Sequence, residues 1–242
     1  MKQFSILLAL CFLAACASTP VKLPAEGKIQ RIGVVAILGE NAGLKYVGET
    51  VFTNKYSERR VTEWNISDNA QRTLSEALRK YNRYLITQLQ PTSNVVRLVT
   101  VEYRAESTVK PLKPQIRAIA EQHGLDLVVL AVRSGPTEPG FWREIPRYLA
   151  DIRGYGISRE KSFPFPPSTW TYLSFEVLVM DGRSLDIVGS TPVFAYERAP
   201  NEFWIESGAD WSSSTSILIR DSLYKTLHQE LLDALKRLAL IK

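Results

Sequence analysis

Apolar positions along this chain recur in two rhythms, about every second residue and every third to fourth, and their alternation predicts a layered α/β body. Residues 29–38 form a β-branched run that stops at Gly39, which predicts a buried strand. Residues 44–64 alternate loosely through Val47, Val51, Phe52, Val61 and Trp64 around the polar Asn54-Lys55, and read as a hairpin-like insertion. Ser67 or Asp68 can cap a helix whose Ala70, Leu74, Ala77, Leu78 and Tyr81 share one face. Residues 84–89 give a second strand, stopped before Pro91, and residues 95–103 read as extended. Pro114 is tolerated in a first turn, and Leu112, Ile116, Ile119, Ala120 and His123 mark a second helical stripe that Gly124 terminates. Residues 126–132 are a third buried strand. Residues 171–180 and 185–193 flank the turn-prone Asp181-Gly182-Arg183-Ser184 and predict an antiparallel hairpin. Ile219, Leu223, Leu227, Leu231, Ala234, Leu238 and Ile241 define a closing amphipathic helix.

The order strand, helix, strand, helix, strand, hairpin, helix predicts an α/β fold, a mixed sheet with helices packed on it. We read residues 28–242 as one domain with insertions at about 39–66 and 134–169.

The start of the chain has a different character. Lys2 is the only charged residue among the first twenty, and residues 4–15 are mostly apolar, shorter than the about twenty a spanning helix needs. This is the charge order and length of a removable secretory signal, residues 1–15. Ala14-Ala15 would satisfy an ordinary signal-peptidase site, leaving a plain secreted protein with a chance cysteine. Leu13-Ala14-Ala15-Cys16 also resembles the lipobox of bacterial lipoproteins, and the resemblance implies diacylglycerol in thioether linkage on Cys16, the new first residue. The three acyl chains implied by lipoprotein maturation would make release negligible, since even one gives measurable binding. Ala17 and Ser18 follow where an aspartate would retain an enteric lipoprotein in the inner membrane, so the resemblance implies the outer membrane, with the body facing the periplasm. Residues 16–27, with Pro20 and Pro24, read as a flexible tether.

Composition narrows the chemistry. The formal charge of +5 falls to about +4 without the leader, and basic residues occur in pairs such as Arg59-Arg60 and Lys236-Arg237, a distribution unlike that of a nucleic-acid binder. Both cysteines lie in or at the end of the leader, so the body has no disulfide and no sulfur ligand.

Three phrases carry a further resemblance: Ile32-Gly33-Val34-Val35-Ala36-Ile37 as first strand, His123-Gly124-Leu125-Asp126-Leu127-Val128-Val129 as helix end into strand, and residues 179–188 around Asp181-Gly182-Arg183-Ser184 as the hairpin. With the element order, they resemble the amino-terminal domain of TolB and related lipoproteins, among them the curli-secretion lipoprotein and the lipoprotein activator of penicillin-binding proteins. That resemblance implies an envelope lipoprotein domain and admits self-association, since related lipoproteins form rings. Residues 44–64 and 134–169 do not match the pattern, so no family partner site carries over. A pore-forming hairpin at 44–64 is excluded by Glu49, Lys55, Glu58, Arg59, Arg60 and Glu63, which leave no outward apolar face.

Catalytic sets are missing from the sequence. His123 reads as a core or capping residue and His228 as solvated, and neither has metal-ligand spacing, so no metal site is expected. Ser222-Leu223-Tyr224-Lys225 matches SxxK without its SDN and KTG companions, on a helix whose apolar face already explains it. Gly154-Tyr155-Gly156 reads as a turn. No catalytic residue and no cofactor beyond the covalent lipid on Cys16 is assigned.

Residues 134–169 remain. They carry Phe141, Trp142, Tyr148, Tyr155, Phe163 and Phe165 with six prolines, a length at which loops are functional or disordered, and a composition that argues against disorder. Either these rings bind a partner, as aromatic anchors do, or they fold back as a small core of their own. The same two readings apply to Phe203, Trp204 and Trp211. We therefore expect a membrane-anchored interaction or assembly module that binds a protein or envelope polymer through its loops. The alternative is an enzyme acting on cell-wall or surface glycans, its catalytic set assembled only in three dimensions.

Overall fold

The structure, a computed structural model, describes Ile29 and residues 31–81, 84–90, 109–110, 112–133, 152–161, 164–206 and 209–242. The leader, Cys16 and the predicted strand at 95–103 lie outside these residues.

Among the described residues, eight strands form one mixed sheet flanked by three helices: β1 (Arg31–Ile37), β2 (Asn41–Val47), β3 (Lys55–Arg60), α1 (Ile66–Tyr81), β4 (Leu85–Gln88), α2 (Lys113–His123), β5 (Leu127–Arg133), β6 (Gly154–Glu160), β7 (Ser168–Asp181), β8 (Ile187–Ala199) and α3 (Ser213–Arg237). β7 is the axis of the sheet. Along one edge it pairs with β8 over nearly its whole length. Along the other, β5 takes the half from Phe175 to Asp181 and β6 the half from Ser168 to Ser174. Arg133 and Gly154 therefore oppose consecutive residues of β7, and β6 continues the course of β5. β1 and β2 repeat this arrangement one row out: β1 runs parallel to β5, β2 parallel to β6, and only Leu38, Gly39 and Glu40 separate them. β4 and β3 complete the outer edge, beside β1 and β2 respectively.

The periodicities explain the layers. Ile32, Val34 and Ala36 of β1, Leu127, Val129 and Ala131 of β5, and Leu173, Phe175, Val177 and Val179 of β7 face α1 and α3 in the main core. The opposite face of β1, β5 and the second half of β7 packs under α2 through Val35, Val128, Leu130, Leu178 and Ile116. This two-sided burial is why β1 and β5 read as unbroken apolar runs. Gly124 ends α2 in the left-handed conformation, its N–H bonded to Ala120 O.

Three expectations change. Residues 41–60 are a hairpin, but its first strand is hydrogen-bonded into the main sheet instead of standing apart as an insertion. Within the stretch read as an aromatic loop, residues 154–160 are a strand, and Gly154-Tyr155-Gly156 is its beginning rather than a turn, although Gly154 does take a φ of +71°. His123, expected on the buried stripe, is exposed at the end of α2, where its carbonyl accepts from Arg31 Nη1 at 3.2 Å. Among the described residues the succession of core elements is otherwise that of the apolar pattern, with β6 added and β2 and β3 in place of the hairpin-like insertion.

Candidate functional site

At the break between the two halves of the sheet, the buried Arg133 meets partly exposed polar side chains of β2 and β3. β1 passes into β2 there, and Gly39 makes the kink between them with a φ of +86°. At the same level Arg133, the last residue of β5, is 5% exposed. Its guanidinium reaches Glu58 on β3, an ion pair that crosses from the centre of the sheet to its edge. Glu58 also accepts from Asn41 Nδ2 at 3.1 Å and from the Tyr56 hydroxyl at 3.0 Å. Glycines make room for these side chains: a Cβ on Gly154 would lie 2.8 Å from Arg133 Nε, and one on Gly43 2.0 Å from the Tyr172 hydroxyl.

Charge states in this cluster are fixed. Burial pushes the Glu58 carboxyl up, but the hydrogen bond and charge of Arg133, helped by Asn41 and Tyr56, outweigh it and hold the carboxyl below its ordinary value. Burial, with the Glu58 charge, raises the Tyr56 hydroxyl to about 12. Burial likewise raises Tyr172. Arg133 is held more firmly protonated because Glu58 outweighs the opposing effect of burial. Two buried polar atoms here, Arg133 Nε and the Tyr172 hydroxyl, make no hydrogen bond to a described group.

Beside this cluster, at the end of β1 and the start of α1, lies a cleft of about 200 Å³ walled by Gly39, Glu40, Thr62, Asn65, Asp68 and Tyr155. Its polar groups are largely spent on holding the fold. Gln71 accepts from the Ala36 N–H at 3.2 Å and donates to Leu89 O at 3.2 Å, Ser67 Oγ accepts from the Leu38 N–H at 3.0 Å, and the Tyr155 hydroxyl donates to Gly39 O at 3.1 Å. Glu40 pairs with Arg60 at 2.9 Å. The volume falls below the about 300 Å³ at which pockets for drug-sized ligands begin.

The aromatic candidates separate. Phe141, Trp142, Tyr148 and Phe163 lie outside the described residues. Tyr155 is no surface anchor: it is 1% exposed on β6 and packs against Trp64 with ring centroids 6.3 Å apart. Its strand opens on Gly154 and Gly156 and buries the polar Ser158, a pattern that in sequence is hard to distinguish from loop. Phe165 is 71% exposed in the turn before β7. Phe203 and Trp211 act as internal staples, Phe203 buried and Trp211 bonded through Nε1 to Phe203 O at 2.8 Å while facing Trp64 at 5.4 Å. Trp204 stands 6.0 Å from Tyr46. Phe52, one of the alternating apolar positions of residues 44–64 in the sequence, is 94% exposed at the tip between β2 and β3.

His228 is exposed, Ser222 and Lys225 sit on the outer part of α3, and no group of three or more potential metal ligands occurs among the described residues. Nor is any described helix long and apolar enough to cross a membrane.

No family model and no curated protein matches this chain. Solved structures similar to it include the PelC dodecamer from Paraburkholderia phytofirmans (10% identity, 87% of this chain and 94% of that one, TM-score 0.32). Lipoprotein GNA1162 from Neisseria meningitidis is 16% identical over 81% of this chain and 96% of that one, with a TM-score of 0.29. A putative neuraminyllactose-binding hemagglutinin homolog from Helicobacter pylori is 13% identical over 87% and 90%, with a TM-score of 0.36. Similarities at this level carry no argument about what this chain does, and its function is argued from its own residues.

Proposed function

We propose that this protein is a lipid-anchored lipoprotein of the bacterial envelope, held by Cys16 at the outer membrane, whose periplasmic α/β body acts as a non-catalytic interaction or assembly module. The reading rests on one conjunction. A secretory leader ends on a lipobox-like Leu13-Ala14-Ala15-Cys16, and in the body behind it the buried Arg133 is paired with Glu58 while the neighbouring Tyr56 hydroxyl is raised to about 12. General acid–base catalysis works best with a group whose pKa lies near the working pH. Glu58, held down by Arg133, and Tyr56, raised to about 12, are poised for structure instead. The surface then has to supply the function, through turns that present side chains to a protein or envelope polymer. Self-association into a ring belongs to the same reading as one way such a module assembles.

Cys16→Ser tests the anchor. The variant should move from the membrane pellet to the soluble fraction or accumulate as uncleaved precursor, read by fractionation and immunoblot. A variant that stays in the pellet as a cleaved, lipid-free product would show that something other than this thioether holds the protein there.

A further inference from the structure

The end of the sheet where β1 begins collects exposed cations and exposed apolar side chains together. Arg31 opens β1 there, exposed and opposite Leu85, the first residue of β4, which is 63% exposed. α1 finishes at the same end on Arg79, Lys80 and Tyr81, all exposed, with Lys80 Nζ 5.3 Å from the centre of the Tyr81 ring. The β7–β8 turn adds the exposed Arg183: the Gly182 N–H donates to Asp126 O at 2.8 Å, and the Asp126 N–H donates to Arg31 O at 2.9 Å. Ile187 opens β8 at 37% exposure, opposite Met180. The strands across this end run β4, β1, β5, β7, β8, so a strand spacing of about 4.8 Å sets Leu85 and Ile187 about 19 Å apart, with Arg31 and Arg183 between them.

Two carboxylates at this end are turned onto backbone. Asp126 Oδ2 accepts from the Arg31 N–H at 3.0 Å, and Asp181 Oδ1 accepts from the Arg183 and Ser184 N–H groups at 2.9 and 2.8 Å. Asp186 and Glu121 stay exposed, against the exposed cations Arg31, Arg79, Lys80 and Arg183. Helix ends account for part of this charge: Arg79 and Lys80 lie at the carbonyl end of α1, and Arg31 Nη1 donates to His123 O at the end of α2. They do not account for Arg183, nor for Tyr81, Leu85 and Ile187 left in water among the cations. Basic side chains interleaved with an aromatic ring and aliphatic groups are the composition of a surface that lies at a bilayer interface, charged heads among the headgroups and apolar parts below them.

Charge and attachment together choose the occupant. A second copy meeting this end across a two-fold axis would set the same cations against themselves. An anionic phospholipid surface attracts them instead, over about 8 Å at physiological salt. It is also the surface to which the chain would be joined here, since Ile29 leads into Arg31 at this end and Cys16 precedes both in the chain. We propose that this end of the body is a contact surface for the anionic phospholipids of its own anchoring membrane, with Arg31, Arg79, Lys80 and Arg183 on headgroup phosphates and Tyr81 and Leu85 at the boundary with the acyl chains. The proposal deepens the anchored-module reading and rests on it. The thioether attaches the body, and these side chains set which way it faces, so that the β2–β3 and β6–β7 turns at the opposite end point away from the bilayer.

Quenching by lipid headgroups tests it on the full lipidated chain in vesicles. A fluorophore is placed on Gln122→Cys, exposed near the end of α2, and separately on Lys55→Cys, exposed at the start of β3 near the opposite end of the sheet; once the leader is removed and Cys16 acylated, neither variant holds another free thiol. With a nitroxide on the phosphatidylcholine headgroup, quenching at Gln122→Cys should be about threefold stronger in vesicles containing phosphatidylglycerol than in phosphatidylcholine alone, while quenching at Lys55→Cys stays the same in both. Sodium chloride at about 0.5 M should remove the difference, as should Arg79→Gln, Lys80→Gln and Arg183→Gln together, with the melting temperature unchanged. Equal quenching at Gln122→Cys in the two lipids, or a difference that survives the triple substitution, overturns the proposal. A rise at both labels would lay the body on its side, and a rise that grows with protein density on the vesicle would assign this end to a second copy, each also overturning it. Failure of the anchor reading is seen separately, as protein that floats with neither kind of vesicle.

Discussion

Gly156→Ala should destabilise this protein by about 4 kcal/mol or more, among the larger effects of a single substitution. The position looks innocuous in the sequence, a glycine inside a short alternating stretch. In the fold a Cβ there would lie 2.0 Å from Gly43 O and 2.7 Å from Gly43 N, both backbone atoms of the paired strand, and 2.7 Å from the Tyr172 hydroxyl. Side chains can swing aside, whereas a backbone held by the ladder on both sides cannot. The β2–β6 pairing must open, and the β2–β3 hairpin that carries Glu58 is attached to the sheet through it. Gly39→Ala is the contrasting case: its Cβ would meet nothing closer than 3.7 Å, and the cost is the backbone strain of a φ of +86°, about 1–2 kcal/mol. Urea denaturation of both variants reads the difference. A Gly156→Ala midpoint close to that of Gly39→Ala would mean that β2 and β6 are not paired in this register.

Arg133→Met should cost about 2–3 kcal/mol. Removing one partner of a fully buried pair typically costs about 3–5 kcal/mol, and here the stranded carboxylate of Glu58, with its side chain 34% exposed, regains some water, which lowers the figure. The pair also has a pH signature. The Glu58 carboxyl is depressed in the folded state, so its contribution is complete above the ordinary carboxylate value of 4.5 and is lost as pH falls through the lower folded value. Wild type should therefore lose stability on acidification below about pH 5 by a component that Glu58→Gln lacks. In Arg133→Met that component should vanish or reverse, because burial alone raises the carboxyl. Adding Glu58→Gln to Arg133→Met should recover part of the loss, the coupling expected of residues in contact. Additive losses across that cycle, with identical acid profiles, would show that the two side chains do not interact.

The elements that sequence reading located best are those with the longest unbroken rhythm. α1 buries the expected stripe of Ala70, Leu74, Ala77 and Leu78, although it begins at Ile66, ahead of the expected cap at Ser67 or Asp68, and leaves Tyr81 exposed; β1 and β5 announce their two-sided burial by apolar interiors, with arginine only at one end of each. β2 and β6 were obscured for the same physical reason: each carries glycines where its neighbour's backbone or a tyrosine approaches closely, and each buries polar side chains, Lys45 and Ser158, that alternation rules assign to solvent. The ion pair at the centre of the candidate site could not be read at all. Arg133 and Glu58 lie 75 residues apart, and only the end-to-end joining of β5 to β6 and of β1 to β2 brings them together. Exposure was equally hidden for the aromatic residues, since Tyr155 and Phe165 share one stretch of sequence and end on opposite sides of the protein–water boundary.

All of the proposed roles place this body beside a bilayer, and that placement depends on the chemistry of a single sulfur. Intact-mass analysis of the protein purified from its native membranes, with fragmentation of the amino-terminal peptide, reads that chemistry directly. The account predicts a chain that begins at Cys16 and carries the added mass of a diacylglyceryl thioether and an amide-linked acyl group. An unmodified polypeptide, or one whose first residue is any other, would contradict it.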